Sequence, residues 1–524
     1  MTFRQTVSLF MTVALLASLP AAEAQKTEAK KAARAQKRAD PMPPDARAFL
    51  ESLPEKKITL ELVVSRGLES SDSFREVRAS LESVDVPLLQ ARSPLGHWVY
   101  TGLTSDDNKN EQGNPQFPQS KTSGAFLGTR SLFATGTSLN LEVSQGNAEL
   151  TSPLFNASYV ESRASVRLSQ SLWRDFFGYS TRLGVEAGEL AARAARLGYR
   201  EGVEEWTSGI IQIFYSAWLS QARAKAAQGS IERRQRLLDV TRIKLNRGTS
   251  ERPDFLQIES AYLNSRSDFL SAEQSLGQIW RELVTSLKLP GHWVEIDPMI
   301  IPMMLDEPVA EASKLCAEKN KSTSNTATER MSLQAEASEL SARRAKHNTS
   351  PELKLDFGYV VNGIDPNDRA RTVEEVTGRE HQEVAATLTL TVPLSNNAEE
   401  AAFAQARADR ERAAAQSARA QADLGVAWLN ACSDLKRLGE TVENMTQAFE
   451  KQSSRVELEE GRFRLGRVPA FNVIQAGDDA TLAELNLRNA QIQHRQAAWR
   501  IRRMAGQLKS YVEKLVPSVG ATLK

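Results

Sequence analysis

The chain has 524 residues, 66 basic against 65 acidic, and only 6% aromatic side chains. That balance excludes the basic excess of a nucleic-acid binder, so no nucleic-acid partner is expected. The composition, rich in Ala, Arg, Glu and Gln, favours long helices packed closely. Two cysteines, Cys316 and Cys432, form neither a disulfide framework nor a Cys-x-x-Cys pair, and the five histidines are scattered, so no metal site is expected. The cysteines read as buried, apolar-like residues, with a mutual disulfide as the other reading in an oxidising compartment. No nucleophile elbow, HExxH, P-loop or dinucleotide motif occurs, so no catalytic residue and no cofactor is expected.

Taken in chain order, residues 1–24 read as a secretory signal peptide: Arg4, an apolar run from Val7 to Leu19, and a small-x-small site at Ala22-Glu23-Ala24 before Gln25. No cysteine follows that site, so N-terminal lipidation is not expected. Residues 25–57, with Lys26, Lys30, Lys31, Arg34, Lys37 and Arg38 ahead of Pro41, Pro43 and Pro44, read as a solvated linker. Beyond the signal there is no run of about 20 apolar residues, which excludes a transmembrane helix but not a barrel of short alternating strands.

Four later segments alternate with period two. Leu139, Leu141 and Val143 alternate with polar neighbours, as do Val166, Leu168 and Leu172, then Leu353, Leu355, Phe357 and Tyr359, then Leu388, Leu390, Val392 and Leu394. Each reads as a strand with one apolar and one polar face. They pair across expected polar loops at 146–162 and 362–383. Residues 97–133 alternate poorly; His97-Trp98-Val99-Tyr100 and the stretch from Phe126 to Phe133 read either as an extra hairpin that would bring the strands to six or as an inserted loop or hairpin outside this set, and the latter is expected.

The remaining pattern is an internal repeat. Arg247-Gly248-Thr249-Ser250-Glu251-Arg252-Pro253-Asp254-Phe255-Leu256-Gln257 and Leu465-Gly466-Arg467-Val468-Pro469-Ala470-Phe471-Asn472-Val473-Ile474-Gln475 share Gly-x5-[Asp/Asn]-[Phe/Val]-[Leu/Ile]-Gln, with the glycines 218 residues apart. Before the second turn, Leu424, Trp428, Ala431, Leu435, Leu438, Val442, Met445 and Phe449 recur with 4-3 spacing, and the same offset returns Trp206, Ile210, Ile213, Ala217, Ser220, Ala224, Ala227 and Ile231. That is a heptad seam, which implies a left-handed coiled coil. The first helix should run over about 176–246, about 100 Å at 1.5 Å per residue, with Gly184, Gly188, Gly198 and Gly202 as candidate kinks. Return helices are expected at about 253–288 and 470–511. The chain thus divides into a first repeat (58–290), a second (309–515) and a tail (516–524).

Four strands cannot close a barrel alone, and open edges are not tolerated in lipid. If these strands lie in a membrane, several protomers share one barrel. With the entry segment Ile58-Thr59-Leu60, the strand ends Gln170-Ser171-Leu172-Trp173 and Val392-Pro393-Leu394, and both glycine turns, residues 58–515 resemble the TolC family of outer-membrane efflux proteins. The resemblance implies a mostly α protein with a transmembrane β-barrel: a trimer with four strands per protomer in a shared 12-stranded barrel, and a long α-helical periplasmic tunnel. It implies localisation in the outer membrane and passive exit of substrates. The implied partners are two other copies of the chain, outer-membrane lipid, a periplasmic adaptor (membrane fusion protein) and an inner-membrane RND or ABC transporter.

By the same resemblance Gly248, Thr249, Ser250, Asp254, Gly466 and Val468 form the periplasmic tip where the adaptor docks, and Asn472 and Gln475 stand at the gate. Many family members carry aspartates at those two gate positions. The neutral amides here imply weaker cation selectivity, with Asp478 and Asp479 one turn on as candidate substitutes or as an ordinary solvated face. Trp173, Phe176, Phe177 and Tyr179 read either as an aromatic belt at the inner membrane interface or as packing at the strand–helix joint. The competing reading is a periplasmic adaptor or coiled-coil scaffold, which typically carries one hairpin rather than two with paired strands.

Overall fold

The computed structural model describes residues 57–109, 119–151, 156–289, 291–318 and 324–523, together with Glu51. The expected signal peptide, and the basic linker except for Glu51 and Lys57, lie outside the described residues. The chain opens with β1 (Ile58–Thr59), α1 (Leu60–Ser70), α2 (Asp72–Ala79) and α3 (Val86–Arg92). Four strands follow: β2 (His97–Asn108), β3 (Gln119–Leu132), β4 (Thr137–Thr151) and β5 (Asn156–Ser171). The first helical hairpin is α4 (Tyr179–Asn246) and α5 (Arg252–Ser286). Then come β6 (Met303–Met304), α6 (Val309–Ala317), α7 (Thr326–Asn348), β7 (Glu352–Asp365), α8 (Arg369–Gly378) and β8 (His381–Thr391). The second hairpin is α9 (Asn397–Arg464) and α10 (Ala470–Met504), followed by α11 (Gln507–Leu515) and α12 (Pro517–Thr522).

The repeat holds at every boundary. Helices α4 and α9 each have 68 residues, α5 and α10 each have 35, and each boundary of the second hairpin lies 218 residues after its counterpart. Within the expected seam Ile210, Ala217 and Ala224 are buried on α4, as are Leu424, Trp428, Ala431 and Leu435 on α9. The long first helix runs uninterrupted from Tyr179, so its glycines are not breaks. At Gly188 an added Cβ would meet Ala91 Cβ at 2.4 Å; the glycine is there because α3 packs onto the backbone of α4.

The main core lies where α1 crosses α4, with Trp280 and Leu283 of α5 and Leu508 and Val512 of α11. The two repeats meet here: β1 pairs in parallel with β6, Ile58 opposite Met303. The expected tail belongs to this core, since Val516, Val519 and Leu523 are buried and Tyr199 Oη hydrogen-bonds Thr522 Oγ1 at 3.0 Å. A smaller core joins α6, α9 and α10 through Leu315, Leu435 and Ile501. Beside it Cys316 and Cys432 are bonded to each other, with Cα atoms 5.8 Å apart. The expectation of two buried, apolar-like cysteines is therefore corrected in favour of the disulfide: α6 folds back on α9 and brings together residues 116 apart in sequence.

The sheet also corrects the sequence reading. Among the described residues one sheet contains six strands, in the order β2-β3-β4-β5-β7-β8 with neighbours antiparallel, rather than four. The pattern was obscured in β2 and β3 by glycine. Tyr100 lies over Gly128 and Phe126 over Gly102, each aromatic filling the space of a missing side chain on the face that is otherwise polar. The expected loop at 146–162 is mostly strand, and 362–383 holds the end of β7, helix α8 and the start of β8. Residues polar on both faces of a strand end give no alternation to read.

Candidate functional site: a two-faced sheet and a paired helical tip

The register lines up one apolar face across all six strands. Val99, Thr129, Leu141, Val166, Tyr359 and Val384 form one row, and Leu127, Val143, Ala164 and Val361 run through the next. Many of these side chains are exposed in the protomer, Leu103 by 87% and Leu388 by 62%. An apolar face this exposed requires a non-aqueous neighbour. The opposite face is polar: one row reads Trp98, Arg130, Asn140, Arg167, Gly358 and Ala385, and Glu142, Ser165 and Glu383 stand in the next.

Both ends of the apolar face are marked. At the far end α8 lies over it, and Ser162 Oγ pairs with Thr372 Oγ1 at 2.7 Å. Gly363 gives α8 room: a Cβ there would meet Thr372 O at 2.3 Å. On β7 the uncovered apolar stretch runs from Leu353 to Val361, about 27 Å along the strand and about 20 Å of membrane once tilted. At the near end Trp173, Phe176, Phe177 and Tyr179 are 51, 59, 49 and 39% exposed. They are partly exposed, with Tyr179 edge-on to His347 at 4.7 Å and Phe176 against Phe177 at 4.9 Å.

At the other extreme of the long helices both turns are helix caps of the same kind. Gly248 and Gly466 have φ of +71° and +73°. Gly248 N donates to Leu245 O and Thr249 N to Lys244 O; Gly466 N donates to Phe463 O and Arg467 N to Arg462 O. These are two Schellman caps, and the left-handed residue is glycine because it lacks the Cβ that would clash. The two tips pack side by side around Leu237, Ile258, Phe463, Ala470 and Val473, with Val468 at the margin. Lys244 Nζ donates to Phe463 O and sits 4.1 Å from the Phe463 ring centroid, so a cation of the first tip caps the helix terminus of the second.

Of the residues expected at the tip, Gly248, Thr249 and Gly466 are exposed, while Ser250, Asp254 and Val468 are half-buried. Asp254 lies in the first turn of α5, where a carboxylate suits the helix dipole. Asn472 is half-buried and Gln475 exposed, its amide donating to Asp479 Oδ1 at 3.2 Å. Sequence reasoning missed the exposed apolar residues around them: Leu256 (53%), Leu465 (69%) and Phe471 (53%). Their signal was their position off the heptad seam. It also missed a polar layer one turn above. Arg234 pairs with Asp478, Arg233 donates to Thr481 Oγ1 at 2.7 Å, and Arg455 pairs with Asp479 at 2.9 Å. Burial lowers the Arg233 pKa from its usual value against the opposing pull of Glu484 and Glu460. The two aspartates thus carry arginine counter-charges, and two of these contacts tie α4 to α10.

Residues 131–287 match the family model for outer membrane efflux proteins. No curated protein sequence matches the chain. Among solved structures, the CmeC outer membrane channel of Campylobacter jejuni aligns over 88% of this chain and 90% of its own length, at TM-score 0.65 and 11% identity. The outer membrane protein VceC of Vibrio cholerae aligns over 85% and 96%, at 0.62 and 14%. The open state of the Neisseria gonorrhoeae MtrE outer membrane channel aligns over 86% and 89%, at 0.57 and 15%. Identities this low establish the fold. The chain therefore has the fold of these outer-membrane channels, and its residues 131–287 are similar to the outer membrane efflux proteins.

Proposed function

We propose that the chain is the outer-membrane channel subunit of an export system, working as a homotrimer that gives substrates passive exit. The observation that carries this reading is the sheet: one apolar and one polar face, two unpaired edges, and 68-residue helices leading from its near end. Such a sheet suits lipid on one side and a wet lumen on the other, and its edges close only against other copies. The exposed aromatics Trp173, Phe176, Phe177 and Tyr179 fit the periplasmic membrane interface. The helices, about 100 Å long, then reach into the periplasm.

The tips fit a docking surface for a periplasmic adaptor, which would connect the channel to an inner-membrane RND or ABC transporter. Gly248, Thr249, Ser250, Asp254, Gly466 and Val468 shape that surface, and the exposed Leu256, Leu465 and Phe471 supply apolar contacts. Asn472 and Gln475 form the gate, with the Arg234–Asp478 pair holding the two hairpins together behind it. A photo-crosslinking residue at Thr249 or Leu465 tests the reading in intact cells. Crosslinks to a periplasmic membrane-fusion protein, from chain that fractionates with the outer membrane, are expected. Chain released by salt washing without detergent would overturn it.

A further inference from the structure

We propose that this channel is closed by eighteen strands rather than twelve, with β2 of one copy pairing antiparallel with β8 of the next. This rests on the trimeric channel reading above. The argument begins with the β2–β3 hairpin. Strands of 12 and 14 residues exceed the 9–11 needed to cross a bilayer. Their register places Val99, Leu103 and Leu127 on the same face as the apolar rows of the other four strands. On the polar face Tyr100 crosses β3 above Gly128, and its hydroxyl donates to Asn140 Oδ1 at 2.8 Å and Glu142 Oε2 at 2.9 Å on β4. The hairpin is thereby joined to the sheet by a full ladder and by a polar clasp that reaches past its own neighbour.

The edges point the same way. The outer strands are β2 and β8. Natural sheets guard exposed edges with Pro, Lys, bulges or shortness. Here the edges are 12 and 11 residues long and contain no Pro and no Lys. Along β8 every residue is exposed. Strand direction alternates through the sheet, so with an even number of strands β2 of a neighbour arrives antiparallel to β8. The occupant that fits each edge is the other edge of a second copy. The family match covers residues 131–287, so β2 and all but the last two residues of β3 lie outside it.

With strands about 4.8 Å apart and tilted by about 40°, the barrel radius rises from about 12 Å for twelve strands to about 18 Å for eighteen. The added hairpins therefore widen the lumen roughly as the square of that ratio.

The test uses the full chain, whose only two native cysteines are already bonded to each other. Single cysteines along Val99–Leu103 are combined with single cysteines along Ala385–Leu390 and oxidised in outer membranes. Crosslinked dimers and trimers for pairs in one antiparallel register are expected. A parallel series pairs Leu139–Val143 with Ala385–Leu390. Crosslinks between copies in that series, with none in the first, would show β4 as the true edge and a twelve-stranded barrel, and would overturn the proposal while leaving the channel intact. No crosslink between copies in either series, from chain that sediments as a monomer, would instead remove the channel reading on which the proposal rests.

Discussion

Trp499 Nε1 donates to Asp306 Oδ2 at 2.9 Å, fastening α10 of the second hairpin to the segment that links the two repeats. Tyr215 of α4 completes the knot: its hydroxyl donates to Asp306 Oδ1 at 2.6 Å and accepts from Trp499 Nε1 at 2.9 Å. Burial, reinforced by the Asp306 charge, pushes the Tyr215 hydroxyl well above the usual phenol range, so it remains a donor. Asp306→Ala strands a fully buried tyrosine hydroxyl without an acceptor, at a cost of roughly 1–3 kcal/mol. Thermal melting of the detergent-solubilised protein should show a clear fall for Asp306→Ala and a smaller one for Asp306→Asn. An unchanged melting temperature would mean that the knot carries no weight.

Glu204 sits in the same helix, buried, with Thr326 Oγ1 donating to its Oε1 at 3.0 Å. Desolvation raises its pKa above the usual carboxylate value, against smaller downward pulls from Thr326 and Arg503. A raised folded-state pKa means that the native state holds the proton more tightly than the unfolded chain does. Its stabilising share is complete below the unfolded value near 4.5 and is lost as pH rises through the folded value. Glu204→Gln, which cannot ionise, should therefore melt higher than the parent at pH 8 and level with it at pH 4. Equal gains at both values would contradict the assignment.

At the tips, nothing lies within 4 Å of an added Cβ at Gly248 or Gly466, so the cost of alanine there is conformational, about 1–2 kcal/mol for a left-handed residue. Gly248→Ala and Gly466→Ala should speed amide exchange in the turns and weaken adaptor crosslinking while leaving outer-membrane assembly intact. Asparagine at either position should be milder. Loss of assembly would place the turns in folding of the whole trimer.

The gate prediction follows from charge. Asn472 and Gln475 are neutral, and Asp478 and Asp479 face Arg234 and Arg455. Single-channel current should resist block by micromolar divalent cations. The double variant Asn472→Asp with Gln475→Asp should become sensitive. Strong block of the parent would show that unpaired acids line the constriction.

The sequence was most legible where one interaction repeats. The heptad seam and the two glycine turns located both hairpins, because coiled-coil packing imposes the same spacing on every turn. It was least legible where contacts are singular. Glycines under Tyr100 and Phe126 broke the alternation of β2 and β3, and hid two of six strands. The Cys316–Cys432 bond depends on α6 folding back onto α9, which no local pattern announces. At Gly188 the sequence offered a candidate kink but not the close contact with Ala91, which needs the neighbouring helix to be seen. Repeat symmetry located the two glycine turns, whereas the exposed Leu256, Leu465 and Phe471 beside them emerged only once exposure was known.

The most direct test of the channel is electron microscopy of the mature protein purified in detergent. The account predicts three-fold particles with a short barrel at one end and a tube of about 100 Å built from the 68-residue helices. Soluble monomeric rods, or compact particles without a central passage, would contradict it.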